Sequence, residues 1–283
     1  MAGRTRTSGS APARRKKPAR AQRRRADDRR PSAPRATVTP RPVVWLGVGL
    51  VVALVIAAVG IVVLAGGGGG QAAAEARTDR EVGALLAGIP QEGDTLGRRT
   101  APVTLEVYAD LKDPDSQNWF LNYLPAIIHD DVRTGLIKIQ YHTFKTNTYL
   151  PQEFVKEQTG ALAAGAQNRL WDFVDTFYHE QRSELTFYVT EGFVEHIARQ
   201  VPGLNLALWH ADRHTGRREE QAAEEDQTAK AIGLHVTPDF LIGRTGGKME
   251  ILTGRHILLH AGQRYGLTLV DTEDLQTEIE KLT

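Results

Sequence analysis

The spacing of apolar and polar residues divides the chain into unlike zones. Residues 1–42 carry no apolar periodicity, whereas Val43 to Ala65 is an uncharged run made almost wholly of Val, Leu, Ile, Ala and Gly. Five glycines follow, Gly66–Gly70, and residues 73–87 are helix-prone. From residue 88 the pattern becomes that of a globular domain. Val103–Leu111 is rich in β-branched and apolar residues and predicts a buried strand. A helix from Asp113 to about Val132 and a second strand at Leu136–Phe144 come next. Residues 152–232 then repeat apolar positions at helical spacing, among them Phe154, Ala161, Leu170, Phe173 and Phe177, and later Phe193, Ile197 and Trp209. A helix end at Gly233 leads into Thr237-Pro238 and a short apolar strand, a turn at Thr245-Gly246-Gly247, a last strand at Lys248–Thr253 and a closing helix at Thr272–Leu282. The resulting order is β-α-β, a helical insert, then α-β-β-α.

The junction at Asp113 carries the densest local signal. Asp113 offers a side-chain oxygen to a free helix N–H, Pro114 arrives with its φ already helical, and Asp115 places negative charge against the positive helix end. A central strand therefore runs directly into a helix N-terminus that presents unsatisfied N–H groups. Asp113 has two compatible readings: a helix cap contributing about 1 kcal/mol, or a carboxylate held ionised by the helix end beside a groove.

Residues Asp110-Leu111-x-Asp113-Pro114-x-Ser116-x-x-Trp119-Phe120 resemble the strand-to-helix turn of the DsbA-like branch of the thioredoxin superfamily. The family pattern there is D-L-x-C-P-x-C followed by an aromatic. Asp113 and Ser116 stand where both cysteines belong. Gly88–Gly97 is similar to the lead-in before the first core strand in actinobacterial-type members, and Thr237-Pro238 matches the place of the family's cis-proline. The helical block at about 152–232 falls where the branch inserts its extra domain. The resemblance implies an α/β, thioredoxin-like fold with a helical insertion over residues 88–283. It also implies a peptide groove framed by Asp113, Pro114, Asp115 and Ser116 on one side and His235, Val236, Thr237 and Pro238 on the other. In the family the residue before the proline pairs with extended substrate backbone, a role that would fall to Thr237.

Composition sharpens this picture. The net charge of +1 hides an asymmetry: residues 1–42 hold fourteen Lys/Arg against Asp27 and Asp28, or +12, leaving 21 basic and 32 acidic residues, or −11, for the rest. The tail is expected to be disordered. It is either a topogenic signal or a patch for anionic lipid or nucleic acid, and its position against an apolar run favours the former. At about 1.5 Å per residue, the apolar stretch 43–65 spans roughly 34 Å, enough for one transmembrane helix. Its length favours a signal anchor over a cleaved leader, with the N-terminus cytoplasmic and the domain extracytoplasmic beyond a Gly-rich linker and helix at 66–87. Gly49, Ala53 and Ala57 form a small-residue face through which two such helices could pair as a homodimer.

Cysteine is absent from the chain. That removes a disulfide framework, a thiolate nucleophile and a cysteine metal site. Other chemistry is thinly supported. Ser116 and His235 with Asp113 or Asp239 make a Ser/His/Asp inventory, but no G-x-S-x-G surrounds Ser116. His210 and His214 have i, i+4 spacing without an H-E-x-x-H pattern, and His179, His256 and His260 sit in no ligand pattern. The glycine run is followed by no Lys-Ser/Thr, so no phosphate loop is present. No metal, cofactor or nucleic-acid partner is expected.

The sequence thus predicts a membrane-anchored bacterial protein, redox-inactive in itself, that binds extended or unfolded exported polypeptides or envelope partners. The rival readings are a thiol–disulfide oxidoreductase, as the resemblance alone implies, and a purely structural membrane protein.

Overall fold

The computed structural model describes residues 70–252, 256–260, 263–269 and 272–283. The basic tail, the apolar stretch 43–65 and the glycines before Gly70 lie outside the described residues. Among the described residues no helix is long and apolar enough to cross a membrane.

Helix α1 covers residues 70–86 and lays Val82 and Leu86 into the core. Its last turn is satisfied from outside. The Arg133 guanidinium donates to the carbonyls of Ala84, Leu85 and Ala87, the groups a helix C-terminus leaves without partners. A small hairpin of β1 (Gln91–Glu92) and β2 (Thr95–Leu96) follows, inside the segment expected to be loop.

The main sheet has the order β1-β2-β4-β3-β5-β6. β3 (Val103–Ala109) lies at its centre and is buried on both faces, which is why its sequence runs apolar instead of alternating. β4 (Ile137–Thr143) pairs with it in parallel, Val103 opposite Ile137 and Ala109 opposite Thr143. β4 does alternate, burying Ile137, Ile139, Tyr141 and Thr143. On the other side β5 (Asp239–Arg244) runs antiparallel to β3, ending at the pair Tyr108–Asp239.

The connection from β3 to β4 is not the single helix expected up to Val132. Helix α2 (Pro114–Asn122) stops at Tyr123, α3 (Leu124–Ile127) restarts the path, and a π-helical turn (Ile128–Val132) completes it. Pro125 supplies the reason: it has no N–H, and its ring crowds the carbonyl of Leu121 one turn earlier. Trp119 and Phe120 anchor α2, Trp119 against Phe240 of β5 at 4.9 Å and Phe120 against Tyr178 at 4.5 Å between ring centroids.

Between β4 and β5 lies a helical layer of α4 (Pro151–Gly165), α5 (Leu170–Glu180), α6 (Glu191–Gln200), α7 (Leu206–Arg213) and α8 (Gly216–Ala231). α4 is its axle, buried from Gln158 to Gly165. α8 ends in a Schellman motif: Gly233 at φ +90° bonds back to Lys230, and Leu234 to Ala229. That stop delivers the chain into His235–Pro238 at the end of the sheet.

The C-terminal part departs from expectation. The strand placed at Lys248–Thr253 is only β6 (Glu250–Ile251), and it is not the last. β7 (His256–His260) and β8 (Gln263–Leu269) form a separate two-stranded sheet before α9 (Thr272–Leu282). Arg255-His-Ile-Leu-Leu-His260 is a short apolar run of a kind that fits strand or helix equally, so periodicity alone gave no sign of it.

Gly160 marks the tightest helix contact. A Cβ there would lie 2.8 Å from both Phe173 Cζ of α5 and Val194 Cγ1 of α6. Gly160→Ala is expected to destabilise the domain by about 1–2 kcal/mol, the overpacking cost outweighing the better helix propensity of alanine. Chemical denaturation measures it. An unchanged or raised midpoint would show that α5 and α6 yield freely.

Candidate functional site at the start of helix α2

The site is built around two carboxylates at the end of β3. Asp110 is fully buried and accepts hydrogen bonds on both oxygens. Oδ2 takes the backbone N–H groups of Thr146 at 2.9 Å, Asn147 at 2.8 Å and Thr148 at 2.8 Å. Oδ1 takes the Lys112 N–H at 3.0 Å and the Thr148 hydroxyl. One side chain thus folds the loop after β4 onto the turn before α2. Donors of this kind hold a buried anion in place of water.

Asp113 caps α2 as the sequence predicts. Its Oδ2 accepts the Ser116 N–H at 2.7 Å and the Ser116 hydroxyl at 2.8 Å, while Oδ1 accepts the Asn147 side-chain amide. The environment differs from expectation, however. Asp113 is 1% exposed. Burial pushes its carboxyl up to about 6, against the Ser116 donors that favour the anion. Desolvation therefore outweighs the helix end and the Ser116 donors, and the group takes up its proton below about pH 6 while staying ionised at neutral pH. Ser116 is likewise buried and its hydroxyl is spent on Asp113, while Pro114 is exposed and Asp115 half-buried.

The proline loop faces this turn. The Thr237–Pro238 peptide bond is cis. Thr237 is buried and its hydroxyl shares a hydrogen bond with the Thr146 hydroxyl. Through Thr146 and Asn147, then, the loop after β4 bridges Thr237 to Asp110 and Asp113. Val236 and Pro238 are half-buried and His235 is exposed, all lying beyond the last β3–β5 ladder pair. His235 lies near enough to Asp239 for its charge to favour that carboxylate, while burial raises Asp239 overall. The Ser116 hydroxyl is buried and donates to Asp113 and not to His235, so the Ser/His/Asp order of a triad is not formed.

Sequence reasoning missed the buried polar layer behind the turn. The Lys112 ammonium, 1% exposed, bonds Glu153 Oε2 and the Thr186 carbonyl, both at 2.9 Å, and lies 5.3 Å from the centre of the Tyr188 ring. Glu157 lies 2.9 Å from the Thr148 hydroxyl whose one proton Asp110 takes, and burial together with the Asp110 charge drives its carboxyl well above the usual range. No local pattern announces these partners, since Lys112, Glu153 and Thr186 lie on three separate segments. Also unforeseen are the exposed Tyr149, Leu185 and Phe187, at 64%, 71% and 73%. They sit on the loops that bond Asp110 and Lys112. Elsewhere, the rings of His210 and His214 stack 6.4 Å apart, and His210 reaches only Glu195 at 3.8 Å. Among the described residues no cluster of three metal-ligating side chains occurs.

The thioredoxin family pattern matches residues 91–249. The chain belongs to the thioredoxin family. Its relatives include probable disulfide bond formation protein D of Bacillus anthracis and of Bacillus cereus, each 21% identical over 154 residues that cover 52% of this chain and 68% of theirs. Similar structures are BdbD from Bacillus subtilis (TM-score 0.53, 16% identity, 69% of this chain and 96% of that one) and Chlamydia trachomatis DsbA (TM-score 0.52, 12% identity, 67% and 90%). These likenesses place the fold with the DsbA-like proteins. Within that family, the two thiol positions are held here by Asp113 and Ser116 in a chain with no cysteine.

Two outcomes follow from the carboxylates. Asp110→Ala strands four backbone N–H groups and should cost about 3–5 kcal/mol, while Asp110→Asn, which keeps one acceptor oxygen, should cost less; equal, small losses in denaturant midpoint would remove Asp110 from its organising role. Asp113 binds its proton more tightly folded than unfolded, between its ordinary 3.8 and about 6. The folded state holds more protons in that window, so this group's contribution makes stability fall as pH rises through it, then level off. Asp113→Asn keeps a capping oxygen and should flatten that decline in denaturation series across the window. A slope identical to wild type would show that Asp113 ionises normally.

Proposed function

We propose that this chain is a thioredoxin-family protein that has lost disulfide exchange and retains the docking of extended polypeptide. The observation that carries the reading is the Asp113–Ser116 pair: where the family reaction needs a thiolate and a resolving thiol, two buried side chains bond each other at 2.8 Å. Neither can form a mixed disulfide. The relatives named for disulfide bond formation supply the family context, and any such activity involving this chain would need the thiol of a partner.

Support for docking comes from the surface around the site. Exposed Tyr149, Leu185 and Phe187 lie on the loops bonded to Asp110 and Lys112, the Thr146 hydroxyl ties one of these loops to Thr237 beside Val236 and Pro238, and the backbone there lies outside the ladder. Apolar anchors beside free strand-end backbone suit an extended segment. The uncharged stretch 43–65 behind a +12 tail supports a single-pass anchor with the N-terminus in the cytoplasm and the domain on the far side. Exported polypeptides or envelope proteins are the partners this placement offers.

The test uses the full chain and a carboxymethylated, permanently unfolded polypeptide followed by fluorescence anisotropy. Val236→Arg and Phe187→Asp should each weaken binding by about tenfold or more, and the wild type should reduce a disulfide substrate no faster than buffer. Undiminished binding by both variants would move the partner to another surface. Disulfide turnover above buffer would overturn the loss of exchange.

A further inference from the structure

A cavity of about 520 Å³ is lined by residues of α1, α2, α3, the π-helical turn that follows it and α5, and shares no residue with the groove of the proposed function. Ala84, Leu85, Leu121, Pro125 and Ile128 give it apolar walls. Among these hydrocarbon surfaces stands one group out of keeping, Asp175 of α5. It is 3% exposed, and neither carboxyl oxygen has a hydrogen-bond partner. A buried carboxyl without donors loses its hydration and regains nothing, a cost that structures rarely carry without a use.

The charges around Asp175 are mostly negative. On its own helix it has Asp172, whose charge disfavours ionisation, and His179, which burial keeps below its ordinary range. From α1 comes Glu81, held by Arg77 at 2.7 Å and lying 3.8 Å from His179. From the α3 segment come His129, paired with Asp130 at 2.6 Å, and Arg133, whose guanidinium is spent on α1 carbonyls. Nearby cations are therefore either engaged or, in His179, discouraged. Burial and these acids push Asp175 up to about 7, so the group is poised to take either a proton or a cation.

We infer that this cavity is a binding site for a small molecule bearing a primary ammonium on an apolar body, the body filling the space walled by Leu85, Leu121 and Pro125 and the ammonium meeting Asp175 after a side-chain rotation that brings its two sealed oxygens to the cavity wall. An ammonium has three donors and no acceptor, matching a carboxylate that has acceptors and no donor. Its positive charge also answers Asp172 and Glu81 where a neutral hydroxyl would not. A carboxylate-headed ligand of equal size would be repelled. The inference stands apart from the polypeptide groove, since it uses none of the same residues.

The probe is 2-phenylethylamine, titrated calorimetrically into the full chain, with 2-phenylethanol and phenylacetate as isosteric comparisons. The amine should bind saturably and more tightly as pH rises from about 6 to 8, because Asp175 sheds its proton across that range. Asp175→Asn should weaken it at least tenfold. Leu85→Trp, which fills the cavity and leaves the acid in place, should abolish binding, and it decides the matter if Asp175→Asn fails to fold. Absence of saturable amine binding, equal binding of the alcohol, or full retention of binding in Leu85→Trp would each overturn the site.

Discussion

The chain's functional end depends on how a single carboxylate, Asp110, is solvated. Buried at the end of the central strand, it is hydrated by protein: three consecutive backbone N–H groups of the loop after β4, one from Lys112, and a threonine hydroxyl. Because the loop donors come from a segment more than thirty residues away, satisfying Asp110 and positioning that loop are one event. The same loop then reaches sideways, through Asn147 to Asp113 and through Thr146 to Thr237. Strand end, helix start and proline loop are thus held by one small polar scaffold. A buried charge gains stability only if its partners are complete, so the geometry tolerates little slack.

Behind that scaffold the helical layer carries a second set of internal charges. Lys112 and Glu153 form a pair 2.9 Å apart with almost no exposure, and burial, helped by the Asp110 charge, raises the Glu157 carboxyl well above the usual range. Replacing such pairs by hydrocarbon is often neutral or stabilising elsewhere, so their presence is better explained by register than by strength. Lys112 has to meet both Glu153 of α4 and the Thr186 carbonyl, which fixes how α4 and the α5–α6 loop sit against the sheet.

Local chemistry was legible in the sequence, and long-range chemistry was not. The cap at Asp113 is an i, i+3 interaction and could be read from Asp-Pro-Asp-Ser. Gly233 ended a helix as its position implied, and the central strands followed from their apolar runs. What no window of residues reveals is burial. Loops from distant segments cover Asp113, so desolvation raises its carboxyl to about 6 where the helix end and the Ser116 donors alone would lower it. The break at Tyr123 was readable from Pro125 and was overlooked in favour of continuous periodicity. Of the β7–β8 hairpin, β7 lacked alternation, whereas β8 showed it at Tyr265, Leu267 and Leu269 and was readable as a strand.

The sheet's outline has a further consequence for traffic across its surface. Its two flanking strands, β1 and β6, are each two residues long. A ladder that short gives an incoming chain almost no register to copy, so lateral growth of the sheet, the ordinary route to strand-swapped or fibrillar assemblies, is closed at both margins. A visiting extended segment is left the tips of β3 and β5 as its point of entry. The domain is therefore a poor template for the aggregation of extended chains.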